Sequence, residues 1–237
     1  MDLSQEVILL VGAGRGIGRA AAQLFAHAGA NLVLASRDEA ELAELEFKLN
    51  RQTSAQVFTQ ATDVTDAMAV RQLVDETCNR FGQIDTLIYA AGVGALKPFA
   101  ETSVEEFDQL WQVNTRGAFL ILQAVLPAME ARKKGRVIAF PGILGRQPMA
   151  QAAAYSAAKY ALTGMLKSLA LEYRRAGIQF SLLHFGGVNT SFWDNITMRV
   201  QRERMLTVEA AAQAVFFAAT QPDTGAINEM VMTFEPH

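Results

Sequence analysis

Seven short runs rich in branched apolar residues, separated by longer stretches of helical spacing, constrain the possible folds of this chain more than any other feature. The runs are VILLV (7–11), NLVLAS (31–36), AQVFTQA (55–61), DTLIYAA (85–91), RVIAF (136–140), IQFSLLHF (178–185) and EMVMTF (229–234). Several are apolar at consecutive positions, as strands covered on both faces must be. Helices are expected near 16–28, 38–51, 66–82, 103–131, 152–176 and 207–219. Asp38, Thr65-Asp66, and Ser103 with Glu106 supply start signals, the last pair as a capping box. Strand and helix alternating six times predict an α/β fold: a doubly wound, seven-stranded parallel sheet with helices on both faces. No repeat, linker or second domain is visible, so residues 1–237 read as one domain. Only SFWDNITMRVQRERML (191–206) breaks the pattern. It reads equally as a substrate lid, over about 190–206, or as a surface helix with its apolar side on the core.

A chain of 237 residues can bury a sizeable core, and 51% apolar against 19% charged residues exclude disorder by composition. A net charge of -3 without a basic stripe argues against nucleic acid as a partner. Arg199, Arg202 and Arg204 do gather; they read as a solvated helix face sooner than as a seat for an anionic substrate. Cys78 is the single cysteine, so no intrachain disulfide is possible. The start MDLSQEVILLVGAG lacks the basic flank and long apolar region of a signal peptide, and no apolar run approaches the ~20 residues of a membrane span. A cytoplasmic protein with no membrane partner is the expectation. His27, His184 and His237 have no neighbours at metal-ligand spacing, so no metal is expected. His184 ends a strand at the edge where open sheets bind ligands, which makes it a candidate substrate contact.

The first run leads into VGAGRGIGRAAAQLF. Gly12, Gly14, Gly16 and Gly18 stand between a strand and a helix, where a phosphate meets bare backbone N–H groups and the positive end of the helix dipole. The spacing is Gly12-x3-Gly16-x-Gly18; Ile17 departs from GxGxxG, and no lysine follows as in a P-loop. The end of the second strand selects the dinucleotide, because a carboxylate there binds a ribose 2′-hydroxyl and repels a 2′-phosphate. Here Ser36 takes that place, Arg37 follows, and Arg15 lies inside the glycine turn. Two guanidiniums and no carboxylate predict NADP(H). Asp38 reads as the cap of the next helix. Asp63, in ATDVTD, suits the adenine edge or equally the cap of the helix that follows.

Tyr155 precedes Lys159 by four residues, which puts a phenol and an ammonium on one helical face. With this pair in place, the chain resembles the short-chain dehydrogenase/reductase family over essentially its whole length. The resemblance rests on Gly12-x3-Gly16-x-Gly18, Asp63-Val64, Ala91-Gly92, Asn114 in VNTRG, Tyr155-x3-Lys159, and Gly186 and Thr190 after the sixth strand. It is nearest in pattern to 3-oxoacyl-carrier-protein reductases and general carbonyl reductases. The resemblance implies a Rossmann-like fold and hydride transfer between a nicotinamide and a carbonyl or alcohol. It implies Tyr155 as acid/base, Lys159 holding the nicotinamide ribose, and Asn114 keeping a water in line with Lys159. Val188 and Thr190 would contact the carboxamide and pyrophosphate side. A phenol of pKa about 10 is a poor acid–base group near neutrality, and a neighbouring ammonium is expected to lower that pKa.

The sequence departs from the family where it matters. A serine is usual thirteen residues before the tyrosine; with Gly135-Arg136-Val137-Ile138 and Gly145 aligned, that position is Gly142. Val11, Tyr89-Ala90 and Phe185 replace a threonine, an Asn-Asn pair and a proline. Losing one donor to a developing oxyanion costs roughly 10²–10³ in rate. A water can replace it, and glycine leaves room for a bulkier substrate. Two readings follow: an NADPH-dependent carbonyl reductase working without the serine, or a non-catalytic NADP(H)-binding protein. Gly142, Leu144, Phe192 and Trp193 are the candidate substrate contacts. The helices 103–131 and 152–176 are apolar over more than one stripe, which predicts a homo-oligomer, tetramer or dimer, as in similar proteins.

Overall fold

The computed structural model describes residues 2–196 and 198–234; His237 and Thr197 of the 190–206 stretch lie outside the described residues. Seven strands form: β1 (Val7–Val11), β2 (Asn31–Ser36), β3 (Val57–Ala61), β4 (Thr86–Tyr89), β5 (Gly135–Ala139), β6 (Ile178–Phe185) and β7 (Glu229–Met232). All pair in parallel in the order β3-β2-β1-β4-β5-β6-β7. The chain winds outward from β1 to β3, then returns to the middle and winds the other way. The order therefore reverses between β1 and β4, and a crevice opens above their carboxyl ends.

Alternate residues of each central strand serve opposite faces of the sheet. On β1, Leu9 and Val11 join one core layer and Ile8 and Leu10 the other. The first layer is completed by α3 (Ala67–Phe81), α5 (Gly117–Arg132) and α6 (Ala153–Glu172), the second by α1 (Gly16–His27), α2 (Glu39–Gln52) and α7 (Val208–Ala219). A strand buried on both faces needs an unbroken apolar run, and VILLV is buried throughout.

The helix starts follow local chemistry. Asp38 caps α2 by accepting from the Glu41 amide at 3.0 Å, and Asp66 caps α3 by accepting from Met68 and Ala69. Ser103 and Glu106 form the expected capping box on α4 (Val104–Trp111). Asp63 is not a helix cap, because Asp66 already fills that position; its carboxylate instead accepts from the amide and hydroxyl of Thr65, both at 2.8 Å.

The expected helix 103–131 is not continuous. Between α4 and α5 the backbone widens into a π-helical turn over Gln112–Arg116. Such a turn shifts the hydrogen-bond register and leaves carbonyls to find other partners. Val113 O accepts from the Tyr89 hydroxyl at 2.6 Å, and Thr115 Oγ1 donates to Ala158 O at 3.0 Å, tying the turn to β4 and α6. The helix expected over 152–176 closes as α6 at Glu172, followed by a tighter turn over Tyr173–Ala176.

Candidate active site

The glycine turn is built by contacts that no larger residue permits. Gly12 has φ 95°, and a β-carbon on it would stand 2.5 Å from the Ala91 amide nitrogen. Close approach of the β1 turn to the end of β4 thus fixes glycine there. Arg15 precedes α1 in extended conformation without a capping side chain, so the first amides of α1 are left open toward the crevice.

Two adjoining cavities fill that crevice. The first, about 1050 Å³, is lined by Gly12, Gly14, Arg15, Ser36, Arg37, Asp63, Val64, Ala91 and Gly92 among others. The second, about 370 Å³, is lined by Arg15, Gly16, Ile17, Gly18, Gly92, Gly142, Leu144, Tyr155, Lys159, Gly186, Val188, Thr190, Phe192 and Trp193 among others. The expected dinucleotide residues are thereby brought to one continuous groove, and the expected substrate residues to its far end.

Three side chains converge at that far end. Lys159 is buried, and its ammonium donates to Phe140 O at 3.0 Å and lies 5.6 Å from the Tyr155 ring centre. Burial lowers its pKa from 10.5 to about 8. Asn114, fully buried on the π-turn, donates from Nδ2 to Val93 O at 2.8 Å and Leu110 O at 2.9 Å. Those two bonds aim Oδ1, which has no protein partner, across the bare α-carbon of Gly92. A β-carbon there would lie 2.9 Å from Asn114 Oδ1 and 3.5 Å from Lys159 Nζ. Asn114 does not itself line either cavity; it reaches the groove only through the space over Gly92.

The phenol of Tyr155 is not lowered as expected. Burial raises it above its ordinary value of 10.0, and Lys159 does not offset that rise. The apolar ring of Phe192 explains part of the burial: it lies 5.8 Å from the Tyr155 ring at 36°. Phe192 in turn presses on Gly94, where a β-carbon would collide with its ring.

Gly142 has φ 68° and ψ 176°, a conformation essentially confined to glycine. The Gly142 carbonyl accepts from His184 Nδ1 at 2.9 Å. His184, a candidate substrate contact, is fully buried and lines neither cavity; its Nε2 lies 3.5 Å from Glu229 Oε2, and its place in the fold is to support the loop.

The 190–206 stretch forms short turns over Ser191–Asn195 and Arg202–Arg204, not one surface helix. Arg202 fastens them: its guanidinium donates to Asp194 Oδ1 at 2.7 Å, Asn189 Oδ1 at 2.9 Å and Thr190 O at 2.9 Å. Arg202 is therefore a strap within the 190–206 stretch. Trp193 donates to Val188 O at 2.9 Å.

Sequence reasoning missed Glu41. It lines the first cavity beside Ser36 and Arg37, so a carboxylate does stand at the end expected to hold none. The signal was the α2 cap at Asp38, which places Glu41 in the first turn, facing back to the groove.

Among the described residues no three His, Cys, Asp or Glu side chains gather as a metal would need, and no helix is long and apolar enough to cross a membrane.

Comparison with known proteins agrees with this fold. The sequence profile described as short chain dehydrogenase matches residues 6–201. An uncharacterized oxidoreductase of Staphylococcus saprophyticus is 30% identical over 232 residues, covering 98% of each chain. An alcohol dehydrogenase from the archaeon Thermococcus sibiricus, solved with 5-hydroxy-NADP, superposes with a TM-score of 0.90 at 25% identity, covering 98% of this chain and 99% of that one. A metagenomic short-chain oxidoreductase solved with NADP gives a TM-score of 0.84 at 30% identity, covering 97% and 96%. With a seven-stranded parallel sheet, a glycine turn at its switch point and a Tyr-Lys pair at the end of the groove, this chain belongs to the short-chain dehydrogenase family.

Proposed function

We propose that the protein is an NADPH-preferring oxidoreductase that reduces a carbonyl, or oxidises the matching alcohol, with Tyr155 as the proton-transferring group. The observation that carries this is that Tyr155 and Lys159 line the far end of a groove that begins at the glycine turn, with Asn114 Oδ1 and the Lys159 ammonium both over Gly92. The groove suits a dinucleotide: the bare backbone at Gly12, Gly14 and Gly16 admits a pyrophosphate, and Arg15 and Arg37 suit a 2′-phosphate. That 5-hydroxy-NADP accompanies one structural relative and NADP another supports the same kind of cofactor here. When bound, the dihydronicotinamide supplies the hydride.

The chain's own residues supply the proton. Burial keeps the Tyr155 phenol protonated through the neutral range, the state a donor to a developing alkoxide needs. Lys159 carries positive charge below about pH 8 and would steady the phenolate left behind. Asn114 Oδ1, which shares the space over Gly92 with the Lys159 ammonium and has no protein partner, would hold a water that returns the proton. No side-chain donor stands at Gly142, so the second donor to the substrate oxygen would be a water or a hydroxyl of the substrate. The apolar rings of Phe192 and Trp193 favour a hydrophobic or mixed substrate.

A homo-oligomer accompanies this reading. Phe107 and Trp111 on α4, Phe119 on α5, and Tyr160 and Leu171 on α6 are exposed, a set of apolar side chains that a second copy would cover.

The test is NADPH consumption over a panel of ketones, diketones, quinones and β-keto thioesters, with Tyr155→Phe and Lys159→Met alongside. Turnover abolished by Tyr155→Phe establishes the reductase. NADPH binding without turnover on any carbonyl would instead favour a non-catalytic binding protein, the reading that the absent serine at Gly142 supports.

A further inference from the structure

Glu41 turns back from the first turn of α2 over the glycine turn. A β-carbon on Gly14 would collide with Glu41 Oε2, and would lie 3.3 Å from Glu41 Cβ and 2.9 Å from Ser36 Oγ. A carboxylate and a hydroxyl therefore converge on the bare α-carbon of Gly14, at the end of β2. The cap of α2 is Asp38, to which Glu41 contributes only its backbone amide. None of the ion pairs among the described residues involves Glu41, Arg15 or Arg37. All three side chains line the same cavity.

At this end of such a groove an acid accepts from a ribose 2′-hydroxyl and repels a 2′-phosphate, whereas a guanidinium attracts the phosphate. Here both kinds of charge face one place. The usual acid at the strand end is replaced by Ser36, and Glu41 brings a carboxylate to the same spot from the following helix, over a glycine that leaves it room.

We propose that Glu41 is a cofactor-specificity residue: its carboxylate accepts from the 2′-hydroxyl of NAD(H) and opposes the 2′-phosphate of NADP(H). The groove then takes both cofactors, with a margin for NADP(H) narrower than Arg15 and Arg37 alone would give. This rests on the dinucleotide reading of the groove. Gly14 is part of the device, since any side chain there expels the carboxylate.

The test is calorimetric binding of adenosine 2′,5′-bisphosphate and 5′-AMP, which differ only in the 2′-phosphate, to the full chain. Wild type, Glu41→Gln, Glu41→Ala and Arg37→Ala are compared. Both Glu41 variants should raise the preference for the bisphosphate by about tenfold, the effect of removing one like charge at close range. Arg37→Ala should lower it. An unchanged preference in both Glu41 variants, with Arg37→Ala still effective, would overturn the role of Glu41 and leave the dinucleotide groove standing. Failure of the wild type to bind either compound would overturn both.

Discussion

Gly142 offers its carbonyl oxygen to Nδ1 of His184 at 2.9 Å, and does so from a backbone conformation of φ 68° and ψ 176°. A carbonyl only accepts, so Nδ1 carries the proton. The fully buried imidazole thus locks the loop that follows β5 into a shape reserved for glycine. The serine-less position is built for glycine and is more than a site from which a hydroxyl is missing.

Replacing Gly142 should therefore destabilise the protein. The nearest atom to a β-carbon there is Phe185 O at 3.7 Å, so space is not the obstacle; backbone strain is. Gly142→Ala and Gly142→Ser should each cost about 1–3 kcal/mol. Scanning calorimetry should show Tm lowered by roughly 2–4 °C for each kcal/mol. A serine variant as stable as the wild type would mean that the loop reverts to ordinary extended backbone.

Tyr89→Phe removes the donor to Val113 O within the π-turn, leaving a buried carbonyl unpaired. The expected loss is about 1–3 kcal/mol, read as a lower denaturant midpoint with an unchanged slope. The same variant should loosen the turn that aims Asn114. Amide exchange at residues 112–116 should quicken more than exchange in β1, whereas equal effects at both would show only global destabilisation.

Lys159 gives a pH signature. Its folded pKa, about 8, lies below its ordinary 10.5, so between those values the unfolded chain binds more protons than the native one. Stability attributable to this group must then rise with pH across that window. Below about 8 the native protein holds a buried charge at a cost; above 10.5 the cost is gone. Lys159→Met should remove the rise, visible as the difference between two unfolding series from pH 7 to 11 on the cofactor-free protein.

Gly94 seats the ring of Phe192, which meets Trp193 edge-on at 5.3 Å. Gly94→Ala should push that ring aside and loosen the segment over Tyr155. In a Trp111→Phe background, Trp193 is the single tryptophan, and its emission should shift to the red. An unmoved spectrum would mean that Phe192 keeps its place by shifting the backbone at 94 instead.

The regular parts of this fold are legible because each strand is an unbroken apolar run and each capped helix carries its own start residue. Runs such as VILLV, and pairs such as Ser103 with Glu106, encode their structure within a few positions. The Tyr155–Lys159 pair is equally local, being one helical turn. What sequence could not give depends on contacts between distant segments. The π-turn at 112–116 answers to the Tyr89 hydroxyl, which is 24 residues away. The turn of Glu41 over Gly14 depends on the meeting of α2 with the glycine loop. The conformation of Gly142 depends on His184, 42 residues on. The sense of the Tyr155 shift also escaped, because Phe192 lies far along the chain and its ring adds to the burial.

The reversal of strand order between β1 and β4 also divides labour along the chain. Except for Val113, every residue lining the first cavity comes from positions 11–93, whereas the second joins Tyr155, Lys159 and the 190–193 segment, all from beyond 140, to Arg15, Gly94 and Leu96 from the first half. The wider cavity is therefore shaped by one half of the polypeptide, and the narrower one by the seam where the two halves meet. A change confined to the second half can reshape the narrower cavity while leaving the walls of the wider one as they are.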